Sequence, residues 1–189
     1  MCSSIVRPAC RFSCPAFDRL PAIRNHSLRG STFPSTVPNE RVRTMTYAIS
    51  LRTASAADLP FLLTLRQLTM TEHLQRVGEP TDDEAHDRRI RANFENAMIV
   101  CEGAAAIGLL KVTRAACEWH VHQIQILPAH QGRGIGEAVL NELLTDAARE
   151  NVPVSLSVLH GNPARRLYER LGFRIESETE TSASMIWRA

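Results

Sequence analysis

Residues 124–136 read Ile-Gln-Ile-Leu-Pro-Ala-His-Gln-Gly-Arg-Gly-Ile-Gly and give the most informative structural signal in this chain. A strand pattern ends near Leu127, Pro128 breaks it, and a helix is expected to begin within the glycines. Glycine tolerates positive φ and lets the backbone approach a ligand closely. The amides of a helix's first turn attract anions, and Arg133 would add a cation. The stretch therefore predicts a diphosphate-binding loop; the alternative is an ordinary tight turn between strand and helix.

The register of these glycines excludes two other phosphate-binding loops. The dinucleotide fingerprint requires G-x-G-x-x-G, whereas Glu137 stands where its last glycine would fall. A nucleoside-triphosphate loop requires Gly-Lys followed by Ser or Thr, and the sequence has no such tripeptide. The ligand is therefore expected to be a diphosphate of another class.

Strand and helix patterns alternate on both sides of the loop. Upstream, the sequence predicts a strand at 49–53, a helix at 59–77 capped by Asp58, a helix from the capping box 81–84 to about 94, a hairpin of 97–102 and 105–113, and a strand at 118–127. Downstream, it predicts a helix at 136–150, a strand at 153–159, a helix at 163–171, and strands at 173–177 and 183–188. The order β-α-α-β-β-β-α-β-α-β-β indicates one α/β domain with a mixed sheet.

A second motif supports the interpretation of the glycine loop. Residues 162–173 read Asn-Pro-Ala-Arg-Arg-Leu-Tyr-Glu-Arg-Leu-Gly-Phe. Together with the Q-x-x-G-x-G register ending at Gly136, they resemble the N-x-x-A-x-x-x-Y-x-x-x-G-F and pyrophosphate motifs of the GNAT superfamily of acyl-CoA N-acyltransferases. The alanine stands one place early, at Ala164, and position 165 is Arg. The resemblance implies the GNAT fold and an N-acetyltransferase that moves an acetyl group from acetyl-CoA to a primary amine by direct attack.

The same resemblance implies which residues bind acetyl-CoA, with no metal involved. They belong to the strand, the loop and the second motif: Ile124, Ile126, Leu127, Gln131, Gly132, Arg133, Gly134, Ile135, Gly136, Asn162, Arg165 and Tyr168. A backbone N–H of residues 124–127 would meet the tetrahedral oxyanion. Asn162 is also suited to cap the following helix, with Pro163 as its first residue.

Tyr168 is, by resemblance, the residue that protonates the departing CoA thiolate. The alternative is that it packs in the core, because Leu167, Tyr168 and Leu171 share one helical face. The two interpretations lead to different expectations for a Tyr168→Phe variant.

The general base is less well defined by the sequence. Some GNAT relatives have a carboxylate at the place that His120 occupies, and an imidazole there could accept a proton at neutral pH. His122 lies on the same face, and Glu118 begins the strand. The alternative is that these are hydrogen-bonded strand residues. By the same resemblance, the N-terminal-peptide acetyltransferases that modify ribosomal proteins usually carry a glutamate where this chain has Ser157, which counts against that particular activity.

The acceptor amine is not identified by the sequence. The elements that select it in this fold offer Arg66, Met70, His73, Glu79 and Trp187, a mixed set. Two other functions compete with the enzyme. One is a non-catalytic GNAT module that binds acyl-CoA as a sensor or scaffold. The other is a nucleic-acid binder with residues 1–44 as its basic tail, which the net negative charge of the remaining residues argues against. Whether the chain forms a homodimer stays open.

Composition and charge argue against several kinds of partner and indicate the compartment of the protein. The 189 residues carry a formal charge of only +2 and no apolar run long enough to span a bilayer, so neither a nucleic-acid nor a membrane partner is expected. Five cysteines without a C-x-x-C pair favour a reducing cytoplasm. Residues 1–44 are rich in Arg, Ser and Pro and should not order themselves. We interpret them as a disordered extension. They are either a targeting segment or, as we favour, the result of a start codon placed too far upstream, with Met45 as the true first residue. The predicted domain is 45–189.

Overall fold

The structure is a computed structural model that describes residues 49–189. The predicted extension 1–44 and the domain start at residue 45 lie outside the described residues. The elements follow the predicted order: β1 Ile49–Thr53, α1 Leu59–Arg76, α2 Asp83–Arg91, β2 Ala97–Glu102, β3 Ala105–Arg114, β4 Trp119–Ile126, α3 Ile135–Glu150, β5 Val154–Leu159, α4 Ala164–Arg170, β6 Arg174–Glu178 and β7 Ser182–Trp187. The predicted α/β class with a mixed sheet is confirmed.

The strands form one seven-stranded sheet in the order β1-β2-β3-β4-β5-β7-β6. Every neighbouring pair is antiparallel except β4 and β5, which run parallel. Their pairing begins at Trp119 with Val154 and ends at Val121 with Leu156. Beyond that point no ladder joins the two strands, so the sheet opens in its middle on the side where β4 leads into the glycine loop.

A bulge in β4 lies at the same place. Val112 of β3 pairs with Val121, whereas the preceding Lys111 pairs with Gln123, so His122 is the extra residue. A bulge leaves one residue unpaired and increases the local twist. The side chains of β4 after His122 therefore still alternate between the two faces of the sheet, but their pairing with β3 is shifted by one residue.

Each face of the sheet is covered by its own hydrophobic core, as alternation along the strands requires. In β3, Leu109 packs in the core that contains Leu62 and Leu65 of α1. The next residue, Leu110, packs in the core that contains Leu140 of α3. Fully burying a side chain of this size contributes about 1.5–3 kcal/mol. The two cores place α1 and α3 on opposite faces, with the opening between β4 and β5 between them.

Helix α1 begins at Leu59 with Asp58 at its N-cap position, as predicted, but the expected side-chain cap is not formed. Asp58 makes no side-chain cap to α1; its carboxylate instead accepts hydrogen bonds from the backbone N and hydroxyl of Ser55. It also accepts two from the Arg52 guanidinium, at 2.6 and 2.9 Å. A single 3-10 turn, Ala56–Asp58, precedes the helix, and Asp58 closes the capping box of that turn. The carboxylate therefore joins β1 to the beginning of α1.

The cap of α2 is displaced by one residue. Asp82, and not Thr81, provides it, with its side chain accepting from the amide of Ala85 at 2.8 Å. Asp and Thr are both good capping residues, so the local pattern did not separate them. The helix also ends at Arg91, before the predicted end near residue 94.

The buried face of α1 includes a residue that its apolar pattern does not predict. Leu62, Leu65 and Leu74, which recur at helical spacing, are buried. Leu68 is 59% exposed, whereas Arg66 is only 5% exposed. A guanidinium is seldom buried unless it is paired, so this position calls for an explanation.

Candidate functional site

A cavity of about 660 Å³ occupies the opening between β4 and β5. Five parts of the chain line it: α1, the second half of β4, the glycine loop with the start of α3, the end of β5, and α4. Ligand pockets commonly have volumes of roughly 300–1,000 Å³, so the size suits an extended small molecule. The two motifs noted in the sequence meet in this one cavity.

The glycine loop presents the amino end of α3 to the cavity. Gly132 and Gly134 have φ of +72° and +75°, a region that other residues seldom adopt. The first bond of the helix runs from Ala138 N to Gly134 O, so the amides of residues 135–137 precede the helical ladder. Residues 135–137 all line the cavity. Such amides, together with the helix dipole, form an anion-binding site.

Arg133 and Arg165, both predicted to bind acetyl-CoA, form ion pairs with glutamates instead of lining the cavity. Arg133 pairs with Glu102 of β2 at 2.5 Å, and His130 lies 3.1 Å from the same carboxylate. Arg165 pairs with Glu169 at 2.9 Å and with a second glutamate at 3.2 Å. Neither arginine lines the cavity. Arg170 of α4 lines the cavity instead and lies 3.4 Å from Glu137. The sequence gives no signal for this arginine beyond its place within the second motif.

The second half of β4 has backbone groups that face the opening. Leu127 donates its amide to Ile107 of β3, so the alternate residues Ile124 and Ile126 direct theirs towards the side of β5. Gln131 confirms this direction, because its side-chain amide donates to the Ile126 carbonyl at 2.8 Å. Ile124, Ile126 and Gln131 line the cavity, whereas Leu127 does not.

Tyr168 both packs in the core and lines the cavity. Its ring meets Phe173 edge to face with 5.9 Å between centroids, and the residue is 7% exposed. Burial raises the pKa of Tyr168 to about 12, so the phenol keeps its proton at neutral pH. Close by, the Asn162 side chain accepts from the amide of Ala164 at 2.9 Å and also borders the cavity. The packing and ligand-binding interpretations of both motif residues are therefore compatible.

The two histidines of β4 have different positions. His120, the predicted base, does not line the cavity; its Nδ1 is 2.8 Å from the Ser155 hydroxyl, which donates to Glu118. His122, displaced by the bulge, lines the cavity, and its ring lies edge to face with His120 at 4.8 Å. Burial, with His120 and a lysine nearby, lowers the pKa of His122, so its imidazole is neutral at pH 7. Ser157 also lines the cavity.

Comparison with known proteins agrees with this arrangement. A family model described as an acetyltransferase (GNAT) domain matches residues 94–175, which span the opened strands, the glycine loop and α4. The PaiA N-acetyltransferase of Thermoplasma acidophilum, solved in complex with coenzyme A, superimposes with a TM-score of 0.61 over 75% of this chain and 99% of its own, at 16% identity.

The chain belongs to the GNAT superfamily.

This GNAT chain also resembles two curated proteins of Mycobacterium tuberculosis. It is 35% identical to the N-alpha-acetyltransferase RimI over 101 residues, which is 51% of this chain and 63% of that protein. It is 47% identical to a GCN5-like protein acetyltransferase over 53 residues, which is 27% of this chain and 26% of that protein. The match thus spans less than two thirds of either relative.

The wall opposite the glycine loop is formed by α1 of the GNAT domain. Of the predicted acceptor residues, Arg66, Met70 and His73 line the cavity. Glu79 instead pairs with Arg89 at 2.8 Å, and Trp187 lies outside the lining. In the described part of the chain, no cluster of three metal-binding side chains is found, and no helix is long and apolar enough to cross a membrane.

Proposed function

We propose that this GNAT chain is an N-acetyltransferase that moves the acetyl group of acetyl-CoA to a primary amine within a ternary complex. The observation that carries the proposal is the separation of β4 from β5 directly in front of the amino end of α3. One cavity thereby contains amides suited to a diphosphate and strand amides suited to a thioester.

Binding of the cosubstrate follows from the two sets of amides. The amides of residues 135–137, together with the loop at Gly132 and Gly134, would hold the diphosphate of acetyl-CoA. The thioester end would lie along the open edge of β4, with Ile124 directing its amide towards the acyl oxygen. As the amine attacks, that oxygen gains negative charge, and a fixed N–H donor stabilises it most at that moment.

The leaving group departs near Tyr168. Its phenol borders the cavity and stays protonated, so it would donate to the sulfur as the carbon–sulfur bond breaks. No covalent enzyme intermediate is needed, because the amine attacks the thioester carbon and coenzyme A leaves from the tetrahedral adduct.

Removal of the amine proton falls to imidazoles. Ser157 of β5 offers only a hydroxyl, whereas His73 of α1 and His122 of β4 both line the cavity. A neutral imidazole accepts a proton near pH 7, directly or through water. We therefore expect His122→Ala to lose activity mainly at low pH, where free amine is scarce. His120 does not line the cavity, so the activity of His120→Ala should fall less.

The test is thiol release from acetyl-CoA by purified protein with a panel of amines, combined with calorimetry of acetyl-CoA binding. Binding together with amine-dependent thiol release supports the proposal. Tight binding without turnover on any amine contradicts it and favours the acyl-CoA-binding module. Absence of binding contradicts both.

A further inference from the structure

Arg66 is a buried cation on the cavity wall that lacks a counter-ion within the described chain. The residue is 5% exposed, it lines the cavity, and its Nε has no hydrogen-bond partner among residues 49–189. No ion pair to Arg66 occurs in the same range. A buried guanidinium without a carboxylate is unfavourable, and ligand binding is one way in which such a group becomes paired.

The surroundings of Arg66 add positive charge rather than neutralise it. Burial and the nearby Arg89 lower the pKa of Arg66 to about 10, and Lys111 senses the positive charge of Arg66. Lys111, also buried, already donates to the carbonyls of Arg89, Ile90 and Ala92 at the end of α2, at 3.2, 2.7 and 2.8 Å. The ammonium thus has acceptors from the protein, whereas the Arg66 Nε does not.

Other unsatisfied polar atoms border the same wall. The side-chain oxygens of Gln123 and Gln125 and the Nδ1 of His73 are buried without partners in the described chain, and all three residues line the cavity with Arg66. Gln123 is oriented by its amide nitrogen, which donates to Arg89 O at 3.2 Å, so its oxygen is left as an acceptor. The wall therefore offers two acceptors for N–H groups beside one guanidinium donor.

This wall lies on the acceptor side of the opening. Ile124 and Ile126 pack in the core of α3, the helix that begins at the glycine loop. Gln123 and Gln125 alternate with them along β4 and so face α1, which carries Arg66. A molecule held here approaches the thioester from the face opposite the diphosphate site.

We propose that the acceptor is an α-amine whose molecule also carries a carboxylate, with Arg66 binding the carboxylate and the two glutamine oxygens accepting from the amine. This inference rests on the proposed acetyltransferase function and assigns its substrate class. The carboxylate can come from a free α-amino acid or from an acidic side chain near a peptide's amino terminus. Its chemistry is the same in both: a planar anion that a guanidinium can bind with two parallel hydrogen bonds.

The described residues of α1 and β4 that line the cavity include no carboxylate that could act as a base, which points to the same class. At pH 7 about one alkylamine in 10³ is unprotonated, against roughly one peptide α-amino terminus in 10, whereas the α-amine of a free amino acid lies between these limits because its own carboxylate stabilises the ammonium. Cations next to the amine site lower its pKa further and raise the free fraction. Polyamines are poor candidates, because their additional positive charges would lie against Arg66 on the cavity wall.

The experiment uses matched acceptors that differ only in one carboxylate. Free alanine is compared with alaninamide, free glutamate with glutamine, and the amide-capped peptides Glu-Ala-Ala and Asp-Ala-Ala with Gln-Ala-Ala and Asn-Ala-Ala. We expect kcat/KM to be about 10- to 100-fold higher for the carboxylate member of one set, the usual worth of a hydrogen-bonded charge pair. Preference within the free amino acids or within the peptides distinguishes the two sources.

Variants separate a binding role from a structural one. Arg66→Met should raise KM for carboxylate acceptors to that of the neutral ones while leaving kcat, the Kd of acetyl-CoA and the melting temperature nearly unchanged. Arg66→Lys should restore part of the preference. Arg88→Met, which removes an exposed arginine from α2, is the control and should change none of these quantities.

The outcomes are distinguishable from failure of the proposed function. Equal kcat/KM for charged and neutral acceptors, or a weaker acetyl-CoA affinity in Arg66→Met, overturns the inference and leaves the acetyltransferase intact. If no acceptor is turned over, calorimetry of Glu-Ala-Ala and glutamate with the coenzyme A complex decides. Binding that Arg66→Met abolishes supports the inference even though the proposed activity fails, and no binding overturns both.

Discussion

Replacing Tyr168 by Phe removes only the hydroxyl from the cavity. Burial raises the pKa of this phenol to about 12, whereas an alkyl thiol has an ordinary pKa of about 8.5. Full proton transfer from the phenol to a free thiolate is therefore uphill by roughly 3.5 pH units, or about 5 kcal/mol. The phenol acts instead by donating a hydrogen bond to the sulfur while its charge develops.

That distinction sets the size of the effect. A hydrogen bond to a charged group contributes about 1.5–3 kcal/mol, so kcat of Tyr168→Phe should fall roughly 10- to 150-fold. The edge-to-face contact with Phe173 needs only the ring, so the free energy of unfolding should change by less than about 1 kcal/mol.

The assay is thiol release at saturating acetyl-CoA and amine, with a rapid-mixing measurement to establish that the chemical step limits kcat. Ser157→Ala is the matched control, because it removes another hydroxyl from the same cavity, one that lies 3.5 Å from Ser184. An unchanged kcat in Tyr168→Phe under chemistry-limited conditions would refute the role of the phenol. An equal loss in both variants would show that the effect is not specific to the leaving group.

Three further predictions concern binding and stability. Gly134→Glu should abolish acetyl-CoA binding by calorimetry and leave the circular dichroism native-like, because it puts a negative side chain beside the α3 amides at φ +75°. Burial lowers the pKa of Lys111 to about 8, so the folded chain loses this proton before the unfolded one; urea unfolding should show stability rising from pH 8 to 10, and Lys111→Met should lack that rise. Asp58→Asn should cost about 1.5–3 kcal/mol at pH 7 by the same method. Because Arg52 holds the pKa of Asp58 well below its usual range, the parent should lose that stability only as the pH falls below about 4, and equal stability of parent and Asp58→Asn at pH 7 would contradict this role.

The acetyl-CoA side of the cavity was largely predictable because its signals are local. A glycine that must adopt positive φ, a proline that ends a strand and an asparagine that caps a helix each act within a few residues. Gly132, Gly134 and Asn162 have the backbone or capping roles expected of them. Helix α1 begins at Leu59 as predicted, although the Asp58 side chain bonds to Ser55 instead of capping the helix, and the cap of α2 is displaced by one residue from Thr81 to Asp82. Neighbouring Ser, Thr and Asp side chains compete for the same amides.

The remaining features of the site depended on contacts between distant segments, on the acetyl-CoA side as well as on the acceptor side. Arg133 is engaged by Glu102, which lies on another strand. His122 rather than His120 reaches the cavity, because a bulge against β3 shifts the alternation of β4. Neither feature has a signature within the residues that surround it in sequence.

The sequence by itself determined the order of helices and strands and the conformation of the glycine loop, because periodicity and backbone freedom belong to consecutive residues. Only the tertiary structure decided that Arg66 is buried without a partner while Leu68, two residues on, is exposed. Burial depends on which elements lie opposite a helix, and here α1 covers the place where β4 leaves β5. The negative charge that we propose for the acceptor therefore follows from that packing and not from any local sequence pattern.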